Sequence, residues 1–185
     1  MLQEAIRLAV EWHKGQNRKF SNQGKHIPYV AHPFSVMKIV WAWGAGKEDV
    51  MSASICHDLI EDTEVTYEFL KVVVGEDAAD IVKELTFDGV NKEEYMKSFY
   101  TSSIDALIIK VADRLDNVKD FMLTLPHYAQ KYFDKAEDLF GALMSRLDEI
   151  RDEYGEQTSK NIVDSYLSVK ISLSILETNK EENND

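Results

Sequence analysis

Apolar residues recur along this chain at intervals of three and four, a spacing that predicts helices almost throughout. Leu2, Ala5, Ile6, Ala9 and Trp12 share one stripe, and Gly15 with the polar run after it ends that helix in a long loop. His32-Pro33 then opens a second helix through FSVMKIVWAW, with proline in a first turn that needs no amide hydrogen, and Gly44 and Gly46 close it. A third helix is predicted from about Glu48 into HDLIED. Thr66 has the chemistry of an N-cap for YEFLKVVV, which Gly75 stops, although the VVV run also suits a strand. GEDAADIVKEL reads as a short helix with acids at the positive end of its dipole. Residues 86–91 predict a connection, and KEEYMKSFY a short helix. Ser102 and Asp105 have capping-box spacing ahead of ALIIKVADRLDNVKDF, whose stripe is Leu107, Ile108, Val111, Leu115 and Val118. After Pro126 two long helical patterns follow, about 128–154 and 160–177, parted near Gly155. The expected fold is an all-α, single-domain compact helical bundle over residues 1–178, with 179–185 as a polar tail too hydrophilic to pack.

Composition narrows the function classes. A chain of 185 residues, 44% hydrophobic and 29% charged, can bury a core and is neither disordered nor fibrous. Its formal net charge of -12 repels nucleic-acid backbones and anionic bilayers, so neither is expected as a partner. The N-terminal segment runs the other way: Arg7, Lys14, Arg18, Lys19 and Lys25 stand against only Glu4 and Glu11, a local excess suited to phosphate. With Cys56 as the sole cysteine no intrachain disulfide can form, which fits a reducing, cytoplasmic setting. No stretch reaches the length of a membrane span, and the N-terminus lacks the apolar run of a signal peptide. Oligomeric state is left open by the sequence.

Chemistry concentrates in His57-Asp58-Leu59-Ile60-Glu61-Asp62. On a continuous helix the four polar residues, at i, i+1, i+4 and i+5, share one face, while Leu59 and Ile60 turn to the packed side. An imidazole nitrogen beside a carboxylate oxygen suits a divalent ion such as manganese, iron or zinc. Two donors cannot hold it alone; the further candidates are His32, ahead of Pro33, and Asp113, on the polar side of the VADRLDN helix.

Four blocks in order, HKGQNRK (13–19), YVAHP (29–33), CHDLIEDT (56–63) and KVADRLDN (110–117), cover the first two thirds of the chain and resemble the hydrolase domain of the RelA/SpoT alarmone enzymes within the HD superfamily. The length is similar to that of the stand-alone small hydrolases of that family. The resemblance implies that His32, His57, Asp58 and Asp113 bind one divalent metal, usually manganese, and that Glu61 and Asp62 are the catalytic acids. It implies a guanine nucleotide as the small-molecule partner, with Arg18 stacking on the base, Lys19 contacting phosphate, and Asn117 and Tyr29 contacting the nucleotide. The implied reaction is hydrolysis of (p)ppGpp at the 3′-position, releasing pyrophosphate and GDP or GTP. The alternatives are an HD phosphohydrolase acting on a dNTP, another nucleotide polyphosphate or the 2′-phosphate of NADPH, and a non-catalytic nucleotide sensor.

The chain departs from the pattern in two places. The loop between Lys19 and Tyr29 is longer, adding Lys25 and His26, so a differently shaped base pocket is expected. Asp116 stands where the family commonly has histidine, and Asp120 adds a further acid. Two more carboxylates beside a polyphosphate would repel it by about 1 kcal/mol each if solvated, and are expected to disfavour the most phosphorylated substrates. His13, His26 and His127 read as structural or surface residues, Cys56 as a core residue, and Trp12, Trp41, Trp43 and the aromatic stretch 128–140 as packing.

Overall fold

The central element is α8 (Ile104–Thr124), a helix buried almost all the way round. Leu107, Ile108, Ile109, Val111, Leu115 and Val118 are inaccessible to solvent, which is why its sequence is apolar on more than one stripe. The computed structural model describes residues 1–19 and 26–181; the expected long loop therefore falls partly, and the end of the expected tail wholly, outside the described residues.

Around α8 the chain runs as α1 (Leu2–Trp12), α2 (Ala31–Trp43), α3 (Glu48–Cys56), α4 (Leu59–Asp62), α5 (Tyr67–Val74), α6 (Glu76–Leu85) and α7 (Lys92–Ser98) before it. After it come α9 (Pro126–Asp134), α10 (Glu137–Ser145), α11 (Leu147–Tyr154) and α12 (Glu156–Glu181). α2, α3, α6, α9, α10 and α12 all pack on α8, and α1 closes over α3 and α5. The fold is an all-α bundle; among the described residues the single extended pairing is an isolated antiparallel bridge between Asn17 and Pro28. No helix among the described residues is long and apolar enough to cross a membrane.

Local chemistry accounts for the helix ends. Thr66 caps α5, its hydroxyl accepting from the Phe69 amide at 3.2 Å, and VVV continues that helix rather than forming a strand. Gly44 closes α2 at φ 106, and a Cβ there would meet the Thr158 hydroxyl at 2.6 Å, so glycine serves both the turn and the approach of α12. Most differences from the sequence pattern lie where helices begin or break. The N-cap of α8 is Ser103, whose hydroxyl accepts from the Ala106 amide at 3.1 Å, and not Ser102; Asp105 instead accepts from Tyr154 Oη. The pattern expected as one helix over 128–154 is divided into α9, α10 and α11, with backbone departures at Ala136 and Arg146 that no proline or glycine announces. α12 begins earlier and ends later than 160–177, reaching Glu181 and taking in the first residues of the expected tail. Trp12 meets Phe69 edge-on and Trp43 donates to Ser165 Oγ at 2.8 Å, but Trp41 is 66% exposed, against the expectation that all three tryptophans pack.

Candidate metal centre and its cleft

The helix expected to run unbroken through HDLIED is broken within it. α3 stops at Cys56, Asp58 sits at φ -98, ψ -2, and the chain restarts as the single turn α4. The break matters because side chains of adjacent residues on a straight helix diverge by about 100°. Here His57 Nε2 and Asp58 Oδ2 come within 3.0 Å of each other.

The two other donors arrive from α2 and α8. His32 Nε2 lies 3.1 Å from Asp113 Oδ1 and 3.8 Å from Asp58 Oδ2, and His57 Nε2 lies 3.9 Å from Asp113 Oδ1. Donors bound to one ion at about 2.0–2.2 Å can be no more than ~4.4 Å apart, and neighbouring ones stand about 3 Å apart. The four separations meet that condition, and the donor atoms of His32, His57 and Asp113 all fall within 4.8 Å of one another.

The hydrogen bonds behind these donors match a metal's needs as well. His57 Nδ1 donates to the Ser54 carbonyl at 2.9 Å, which leaves Nε2 as the ring's lone-pair nitrogen; that atom is buried without a hydrogen-bond partner. His32 Nδ1 meets Asp116 Oδ2 at 2.7 Å, and Ser35 Oγ donates to the other Asp116 oxygen. Such a carboxylate behind a ligand imidazole fixes its orientation and raises its basicity. Asp113 is held on one oxygen by Lys110 Nζ at 3.0 Å and on the other by Asn117 Nδ2 at 2.6 Å. Tyr29 Oη donates to Asp58 Oδ2 at 2.6 Å. Two imidazoles and two carboxylates with one orphaned nitrogen aimed at their centre fit a divalent cation.

Electrostatics keep the two carboxylates ionised. Burial works against a charged Asp58, but His57 and His32 beside it hold its pKa below the usual carboxylate range. Burial likewise opposes a charged Asp113, and Lys110 and His32 outweigh it. Burial opposes charging His32, yet its bonds to Asp113 and Asp116 prevail and raise its pKa to about 9. Glu61 is raised by burial, partly offset by the Phe87 amide donating to it at 3.1 Å.

His32, Asp58 and Asp113 of the centre line a cleft of about 910 Å³. Glu61 and Asp62 stand on its rim through α4, and Arg18 and Lys19 border it from the segment after α1. Arg18 Nη2 donates to Asn117 Oδ1 at 2.8 Å and to Asp120 Oδ2 at 3.0 Å, so edge donors of the guanidinium are engaged. These contacts alter the picture of the extra acids. Asp116 is turned onto His32 and Ser35, and Asp120, which lines the cleft, is paired there with Arg18. The structure places Asn117 and Tyr29 behind Asp113 and Asp58 respectively, each on a candidate ligand.

Other cleft residues went unnoticed in the sequence. Lys92, Lys110 and Arg114 form a basic wall, and Phe121, Tyr128 and Tyr132 an aromatic one; His127, expected as a structural or surface residue, borders the same space. Arg114 is 3% exposed, its guanidinium 4.2 Å from the Tyr132 ring centroid, with Nε and Nη1 lacking hydrogen-bond partners. Lys110 was detectable, since it lies one turn before Asp113, the spacing of a helical ion pair. Arg114 was not, because an arginine on an apparently solvated face signals nothing. Asp113 itself proves buried and not on a polar face.

The family model described as HD domain matches residues 5–150. The guanosine-3′,5′-bis(diphosphate) 3′-pyrophosphohydrolase MESH1 of Xenopus tropicalis is 31% identical over 154 residues, covering 77% of this chain and 84% of that protein. Its namesake from Drosophila melanogaster is 30% identical over 165 residues, covering 80% and 90%. A solved structure described as "A metazoan ortholog of SpoT hydrolyzes ppGpp and plays a role in starvation responses" superposes with a TM-score of 0.71 at 26% identity, covering 90% of this chain and 94% of that one.

Proposed function

Because this chain belongs to the HD-domain family, and within it to the guanosine-3′,5′-bis(diphosphate) 3′-pyrophosphohydrolases, we propose that it hydrolyses the 3′-diphosphate of (p)ppGpp, releasing pyrophosphate and GDP or GTP. The observation that carries this reading is the convergence of the donor atoms of His32, His57, Asp58 and Asp113 beside a cleft that Glu61 and Asp62 also line. Those four residues would hold one divalent cation, with manganese the ion we assign; when bound it supplies Lewis acidity that makes hydroxide available near neutral pH.

The chain's own residues do the rest. Water attacks the phosphorus bonded to the 3′-oxygen, the P–O3′ bond breaks, O3′ takes up a proton, and the attacking oxygen leaves within pyrophosphate. Glu61, whose pKa burial raises, is the acid suited to hold the proton that O3′ receives, and Asp62 orients the water. Arg18, with edge donors engaged by Asn117 and Asp120, offers its planar face to the guanine base. Lys19 at the rim and Lys92 in the basic wall meet the phosphates, beside Arg114, whose unpartnered donors call for an anion. Tyr29 and Asn117 act on the nucleotide through the ligands they hold. We assign residues 1–178 to one hydrolase domain and, from the lone buried Cys56, a reducing cytoplasmic setting.

The test is a screen of purified protein with Mn²⁺ against ppGpp, pppGpp, NADPH and dNTPs, with products identified. Pyrophosphate release from ppGpp supports the reading; turnover of NADPH or dNTPs alone, or binding without turnover, overturns it. Asp58→Ala should abolish metal-dependent hydrolysis, and its retention would refute the ligand set.

A further inference from the structure

Beyond the ligands and acids, the structure connects the end of α1 to Asp62 through groups the reaction itself does not use. His13, which ends α1, is 2% exposed, and its Nδ1 lies 2.8 Å from Gln16 Oε1. Gln16 Nε2 lies 3.1 Å from the Asp62 carbonyl oxygen. We propose that His13 and Gln16 are positioning residues, a relay from imidazole through amide to main chain that holds Asp62 at the wall of the cleft.

The direction of every bond follows from one fact. A carbonyl only accepts, so the Gln16 group facing Asp62 is its NH₂ and the group facing His13 is its oxygen. That oxygen also only accepts, so His13 Nδ1 carries the hydrogen. Its Nε2 is then the lone-pair nitrogen, in keeping with its burial without a partner. The ring is packed 4.8 Å from the Tyr29 ring, which limits its rotation.

Asp62 needs such support. It closes a helix of a single turn, too short to be stable by itself, and the last carbonyls of a helix have no partner within it. Thr63 beyond it is extended, so the chain offers no further turn to accept the load. Gln16 supplies the missing donor from 46 residues away in sequence. The same residue receives the Tyr29 amide on its carbonyl at 2.9 Å, and Tyr29 Oη is the donor to Asp58. Gln16 is thus the point where the support of a catalytic acid and that of a metal ligand meet.

The catalytic part of this inference rests on the hydrolase reading above, so its test includes readouts that do not need turnover. Gln16→Leu and His13→Leu are expected to lower kcat ten- to hundredfold, the range for a small misplacement of a reacting group, with KM and bound Mn²⁺ unchanged. His13→Asn, which places an N–H donor where Nδ1 has one, should restore most of the loss, and the double leucine variant should be no worse than Gln16→Leu. Long-range ¹⁵N–¹H correlation should show His13 as the Nδ1–H tautomer, and amide exchange at Asp62 and Thr63 should rise in Gln16→Leu. Turnover within twofold of wild type in both leucine variants, no rescue by asparagine, additive losses, loss of bound metal, an Nε2–H tautomer or unchanged amide exchange would each overturn the proposal. Wild-type protein that releases no pyrophosphate would refute the function instead, leaving the tautomer and exchange measurements to judge the relay.

Discussion

Replacing Asp116 by asparagine separates two opposed physical readings of that residue. As a free charge beside a polyphosphate, its removal should favour the more phosphorylated substrate. In the structure its carboxylate accepts from His32 Nδ1 at 2.7 Å and from Ser35, and although burial disfavours its charge, the His32 hydrogen bond lowers its pKa. The asparagine keeps the shape and an acceptor oxygen but removes the negative charge that makes His32 a stronger donor to the ion. Changes behind a ligand imidazole cost about 10–100-fold in metal affinity, roughly 1.4–2.7 kcal/mol. The assay is pyrophosphate release across a Mn²⁺ titration, paired with direct metal binding to the substrate-free protein. Half-saturating Mn²⁺ should rise 10–100-fold, with turnover at saturating metal within a few-fold of wild type and the ratio of ppGpp to pppGpp turnover unchanged. Unaltered metal affinity together with a shifted substrate ratio would refute the orienting role and restore the repulsion.

Three further outcomes follow from the same structure. Binding Mn²⁺ at a hundred times its Kd should stabilise the fold by ~2.7 kcal/mol, raising the melting temperature by about 5–11 °C by calorimetry, and a chelator should reverse the shift. Cys56 is buried against the Ala5 carbonyl and its pKa is pushed up to about 12, so at pH 8 thiol alkylation should proceed only as fast as the protein unfolds; rapid labelling of the native state would contradict this. Leu107→Ala, in the fully buried stripe of α8, should cost about 2–5 kcal/mol in urea unfolding.

The sequence made the helices legible because most are amphipathic, and the period of three to four needs no tertiary information. It failed where packing decides: the breaks at Ala136 and Arg146 carry no proline or glycine, and Arg146 leaves its helix to donate to the Phe99 and Ser102 carbonyls at 3.0 and 2.8 Å. The HD pair was legible as donors, but not the turn at Asp58 that lets both reach one point, since the pattern extends smoothly across it. The extra acids were visible and their signs correct; their directions were not, because Asp116 and Asp120 find partners 84 and 102 residues away. Gln16 lies inside HKGQNRK (13–19) and carries no signal of its own, as a lone amide in a loop rarely does.

The donors of the centre stand on α2, on the turn after α3 and on α8, and His32 is 81 residues from Asp113. Three of the four, His32, His57 and Asp58, precede α8, which adds Asp113, so ion retention at full affinity reports that α8 is docked against α2 and α3. A partly opened form in which α8 swings away keeps three donors and holds its cation more weakly, so metal affinity should fall before the main change in far-UV circular dichroism during gentle denaturation.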